Sequence, residues 1–118
     1  MPKKIPLEAT VNQELLVTLE DQDCTIALYQ RGESMYLDLS VDTTVIRRGA
    51  VCMPGIGIIQ GAESGFAGQL YIIDERSIPN RQRPPQWEGL GTRWRLYYLT
   101  NEEVNALEDA TLEAALNG

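Results

Sequence analysis

The chain has 118 residues, with 17 acidic and 10 basic side chains and a net charge of −7. That length holds one domain around one core, and a composition 43% hydrophobic and 23% charged belongs to folded globular chains, not disordered ones. The acidic balance disfavours nucleic acid and anionic membranes as partners. No stretch approaches the about 20 apolar residues of a membrane helix.

Chemistry is constrained as strongly. Histidine is absent, which removes the commonest general base and the Ser-His and Cys-His nucleophile pairs. Two cysteines, Cys24 and Cys52, do not make a disulfide framework. With no third cysteine nearby and no histidine, the usual zinc ligand sets cannot be built. Both are expected to be inert core thiols, and no metal or cofactor is expected. The remaining catalytic option is a carboxylate pair. Its candidates, Asp38 and Asp74, sit on the polar side of a strand and at a strand end, where ordinary hydrogen bonding explains them. The N-terminus MPKKIPLEA has two lysines with no apolar run behind them, so folding in the cytosol is expected.

Taken in order, the chain reads as short strands separated by turns. Glu14 to Leu19 is apolar, and Glu20 to Asp23 is a polar turn. From Cys24 to Tyr29 the pattern alternates, with Cys24, Ile26 and Leu28 on one face, the mark of a half-buried strand. Arg31 to Ser34 is the next turn. Met35, Leu37, Leu39 and Val41 then share a face, opposite Tyr36, Asp38 and Ser40. Asp42-Thr43 turns the chain into a further strand through Val45-Ile46, which Gly49 to Met53 continues or neighbours. Pro54 to Gly68 is glycine-rich, which suits tight bends, although Ile56, Ile58 and Ile59 predict a short strand inside it. Leu70 to Ile73 is an apolar strand ending at Asp74-Glu75. Arg76 to Gly91 is a long proline-containing loop of a length that usually carries function. Trp94, Leu96 and Tyr98 alternate with Arg95, Tyr97 and Leu99 in the last strand.

The tail differs. Thr100 and Glu103 have capping-box spacing, and Val104, Leu107, Thr111 and Ala114 recur at near-helical intervals. A helix over Asn101 to Leu116, or two short ones, is predicted. The fold class is therefore mainly β, a small antiparallel barrel or sandwich. Residues 1–99 form the β-domain, and 100–118 form an acidic helical extension of the same unit.

Local charge points to the working surface. Between Arg76 and Arg95 stand Arg76, Arg81, Arg83, Arg93 and Arg95 against a single acid, Glu88, with Trp87 and Trp94 among them. Arginine with aromatics suits single-stranded nucleic acid and also protein-protein hot spots; it also suits a simple cover over the mouth of the β-domain. The acidic remainder favours a protein partner. With Val104 and Leu107 of the tail, these arginines (Arg76, Arg81, Arg83, Arg93 and Arg95) and the tryptophans Trp87 and Trp94 are the interface candidates. The acidic tail could receive the basic loop of a neighbouring copy, or of its own chain.

The run Gln86-Trp87-Glu88-Gly89-Leu90-Gly91-Thr92-Arg93-Trp94 resembles the closing motif of the cyanophage-type baseplate plug domain. Other pieces of that layout occur in order: Ile5-Pro6-Leu7, Asn12-Gln13, Cys24 to Arg31, Tyr36 to Asp42, Gly49 to Cys52, and Gly68 to Asp74. The segment Pro79 to Pro85 and the tail after Leu99 depart from it. The resemblance implies a structural, non-enzymatic component of a contractile phage tail baseplate, packed at the hub near the tail tube and spike. Wedge proteins would be among its neighbours, and several copies would stand around the tail axis. It would be a virion protein, assembled in the host cytoplasm, without membrane or cofactor. Within the motif, Gly89 and Gly91 would permit a bend, Trp87 would cap the β-domain, and Arg93 would pair with a carboxylate, for which Asp74 is the candidate. The second reading is a small β-barrel that binds an oligonucleotide or a saccharide.

Overall fold

The computed structural model describes residues 2–59, 65–76 and 83–106. Among these residues seven strands form two antiparallel sheets: β1 (Lys3–Ile5), β2 (Asn12–Leu19), β3 (Gln22–Arg31), β4 (Ser34–Val41), β5 (Thr44–Val51), β6 (Gln69–Asp74) and β7 (Trp94–Leu99), followed by helix α1 (Asn101–Ala106). One sheet is a meander in the order β2-β3-β4-β5, and the other runs β1-β7-β6.

The meander follows from its turns and alternation. Glu20 and Asp21 both take positive φ, 51° and 61°, the geometry that lets a two-residue turn match the twist of its strands. Leu19 pairs with Gln22 across it. Cys24, Ile26 and Leu28 of β3 and Met35, Leu37 and Leu39 of β4 are buried, as their period of two requires. Their partners on the three-stranded sheet are Leu70, Ile72, Leu96, Tyr98 and Trp94, in one cluster with Ile5, Leu19 and Leu90.

The three-stranded sheet is covered on both faces. Tyr71, Ile73 and Leu99 point away from the main core and pack with Tyr97 and Val104 in a second cluster. That is why the end of β6 from Leu70 to Asp74 is buried without alternation.

The described residues form two separate sheets, which makes the fold a sandwich and not a closed barrel. The reason lies in the crossover from β5 to β6. Gly55 donates its N–H to the Ile72 carbonyl at 3.0 Å and Ile58 donates to Leu70 at 2.9 Å, so this segment covers the outer edge of β6. The strand predicted through Ile56, Ile58 and Ile59 is absent. Instead Ile58 and Ile59 are buried anchors of an irregular segment, and Ile56 is 55% exposed. The side-chain amide of Gln69 accepts from Ile59 N–H and donates to Ile59 C=O, at 2.9 and 2.8 Å, which replaces a strand's ladder there. Of the predicted helix, Asn101–Ala106 is helical, and its remainder lies outside the described residues. The capping box is formed: Thr100 N–H donates to Glu103 Oε1 at 2.9 Å and Glu103 N–H to Thr100 Oγ1 at 3.2 Å.

Candidate functional site

The arginine-tryptophan region gathers at one end of the sandwich, around a buried carboxylate. Asp74 ends β6 opposite Trp94, the first residue of β7, and is only 3% exposed. Its Oδ1 accepts from Arg93 Nε at 2.8 Å and from Arg76 N–H at 3.1 Å. Its Oδ2 accepts from Arg93 Nη2 at 2.8 Å and from Arg83 N–H at 3.4 Å. The two-pronged guanidinium contact is the strong form of such a pair, and it holds the Asp74 carboxyl below the usual carboxylate range against the opposing effect of burial. The expected pairing of Arg93 with Asp74 is thus present.

The same residues stack and pin the loop. The Arg93 guanidinium lies over the Trp94 ring at 4.4 Å, and Trp94 Nε1 donates to the Arg83 carbonyl at 3.2 Å. Arg95 forms an ion pair with Glu75 at 2.7 Å. The motif glycines have steric reasons. A Cβ on Gly89 would overlap the Trp94 ring, and Gly91, at φ +83°, would place one 2.5 Å from the Leu7 carbonyl oxygen.

A glutamine clasp joins this end to the meander. Gln30 Nε2 donates to Gln86 Oε1 at 2.8 Å, and Trp87 N–H donates to Gln30 Oε1 at 2.9 Å. Gln86 in turn donates to the Glu33 carbonyl at 3.1 Å. Sequence reasoning missed Gln30, Gln86 and Glu75.

The candidates divide by what they touch. Arg76 and Arg83 are exposed. Arg93 and Arg95 are half-buried and paired. Trp94 is 5% exposed and belongs to the core, while Trp87 is half-buried and packs against it as a cap. Val104 covers the outer face of the three-stranded sheet. Arg81 and Leu107 lie outside the described residues. Asp38 accepts from Tyr29 Oη at 3.0 Å and from Gly49 N–H at 2.7 Å, which are fold contacts. Cys24 and Cys52 are buried, and burial pushes the Cys52 thiol up to about 12. Glu102 and Glu103 stand beside Glu20, at the far end of β7 from Asp74. The start of α1 therefore stands at the opposite end of β7 from Arg93.

Among the described residues no group of three or more His, Cys, Asp or Glu side chains could hold a metal ion. No described helix is long and apolar enough to cross a membrane. The polar contacts around Asp74 and Gln30 bind the protein's own loops together. The family model for the cyanophage baseplate Pam3 plug gp18 matches residues 3–102, and the chain belongs to that family. It is accordingly a phage baseplate structural protein, a component of the virion tail that interacts with other baseplate proteins. A search of curated proteins finds no match.

Proposed function

We propose that this protein sits at the hub of a contractile-tail baseplate, near tail tube and spike, and works by protein contact without catalysis. Several copies stand around the tail axis, having assembled in the host cytoplasm. The observation that carries the reading is the family match across residues 3–102. The geometry supports a division of labour at the arginine end. Arg93, Trp94 and Trp87 hold the described residues of that end together, and the exposed Arg76 and Arg83 are left to meet a partner. A preformed surface loses little ordering entropy on binding.

The test is co-expression with neighbouring tail genes, followed by affinity purification. Stable co-purification with a tube or spike protein supports the reading. Its loss in an Arg76→Glu/Arg83→Glu variant of unchanged melting temperature places the contact. A lone chain that ignores those proteins and binds single-stranded nucleic acid at moderate salt overturns it.

A further inference from the structure

The four-stranded sheet ends in two unlike edges. β2 is a regular eight-residue strand whose one charge is Glu14. β5 is also eight residues long, and its charges are Arg47 and Arg48. Each edge also exposes apolar side chains: Leu16 is 81% exposed on β2, and Val45 and Val51 are 47% and 50% exposed on β5.

The direction of the backbone groups follows from the ladder. Gln30 N–H donates to Val11 C=O and Asp42 N–H to Asp23 C=O. In an antiparallel sheet the residues bonded to a given neighbour alternate. Odd-numbered residues of β2 therefore bond β3, and Asn12, Glu14 and Leu16 turn their N–H and C=O outward, while the outward carbonyl of Thr18 accepts from Lys3 Nζ at 3.2 Å. Counting across β3 and β4 in the same way, Val45 and Val51 turn theirs outward from β5. Cys52 N–H bonding to Met35 C=O at 2.9 Å agrees with that count.

The rows match as well. Leu16, Thr25, Ser40 and Val45 lie in one row across the sheet, and Asn12, Tyr29, Tyr36 and Val51 in another. Glu14, Ala27 and Asp38 form the row between. It reaches β5 between Arg47 and Ala50, where the register shifts and the exposed Arg48 stands.

We propose that β2 of one copy pairs antiparallel with β5 of a second copy, so that the four-stranded sheet continues between subunits. This sets Leu16 against Val45, Asn12 against Val51, and Glu14 beside Arg48. The outward backbone groups of each strand face those of the other. Glu14 and Arg48 select this pairing over β2 with β2 or β5 with β5, which would bring like charges together. The contact is head-to-tail, the kind that closes into rings. An eight-residue edge spans only about 27 Å and buries less than the about 800 Å² per partner of a stable interface. The free protein is therefore a monomer at micromolar concentration, and the contact forms at high local concentration. The proposal rests on the multi-copy part of the baseplate reading and names its surface.

Disulfide trapping of purified protein tests it without any other tail component. Residues directly opposed in a hydrogen-bonded antiparallel pair have Cα atoms about 5.5 Å apart, within the span a disulfide bridges. The expected result for a Leu16→Cys/Val45→Cys variant under mild oxidation at high concentration is a ladder of dimers, trimers and larger species. Its yield should exceed several-fold that of a Glu88→Cys/Val45→Cys control. The native thiols are buried and do not compete. Glu14→Arg should cut the ladder several-fold, and adding Arg48→Glu should restore it. Dimers from Leu16→Cys alone at equal yield, or a ladder no stronger than the control, would overturn the proposal. If that happens while co-purification with tail proteins persists, the baseplate reading stands and only this contact is wrong.

Discussion

Replacing Asp74 with asparagine keeps the shape of the side chain and removes its charge. Among the described residues the carboxylate accepts four hydrogen bonds, two of them from Arg93 at 2.8 Å. The amide keeps one accepting oxygen and turns an N–H₂ group toward donors. Hydrogen bonds to charged groups contribute about 1.5–3 kcal/mol each. Arg93 remains 24% exposed, so water recovers part of its loss. The expected destabilisation is about 2–3 kcal/mol, a fall of about 1–2 M in the urea midpoint at an m value of about 1.5–2 kcal/mol/M. Tryptophan fluorescence reports it, because Trp94 stacks on the affected guanidinium.

The pH dependence separates charge from packing. Hydrogen bonding by Arg93 depresses the folded-state pKa of Asp74. Its stabilisation is therefore complete above the unfolded value of about 4 and is lost as pH falls through the lower folded value. The gap between native protein and Asp74→Asn should be constant from pH 7 to pH 5 and narrow below about pH 4. A gap that stays the same down to pH 3, or one below about 0.5 kcal/mol at pH 7, would refute the argument.

Gly91→Ala should destabilise by about 2 kcal/mol or more, since left-handed strain alone contributes about 1–2 kcal/mol and the added methyl meets the Leu7 carbonyl; Gly89→Ala, which meets a side chain instead, is the comparison in thermal melts. Cys24 and Cys52, 2% and 1% exposed, should resist a thiol reagent at pH 8 in the native protein and both react in denaturant, as counted by mass spectrometry.

The meander was legible because it is wet on one face. Cys24, Ile26 and Leu28, then Met35, Leu37 and Leu39, alternate with residues that must tolerate water. Where both faces are covered, as around Tyr71 and Ile73, alternation vanishes and only an apolar run remains. β1 escaped detection because two of its three residues are lysines, held by pairing with Tyr97 and Tyr98. Nothing local announces that contact. The strand expected around Ile58 failed because Gly55 and Gly57 let the chain follow β6 irregularly, with Gln69 supplying the bonds. At the arginine end, the closing motif pointed to a carboxylate partner for Arg93, with Asp74 as its candidate. The clasp of Gln30 with Gln86 joins residues 56 apart, and a neutral amide carries no sign of its partner. Trp94 illustrates the same limit: its composition suits an interface, and only packing shows it inside.

The two sheets also differ in when they can form. The meander is built from neighbours in sequence, joined by short turns, and such local contacts close early. The other sheet needs β1, from the first residues of the chain, to meet β7, from nearly the last. During synthesis the meander can emerge complete while the strands that cover its inner face are still missing. Until β7 leaves the ribosome, the layer opposite Ile26, Leu28, Leu37 and Leu39 lacks its central strand. Transiently exposed apolar surface of this kind is where aggregation begins, so slow translation across the glycine-rich crossover would lower the yield of this protein more than slow translation within the meander.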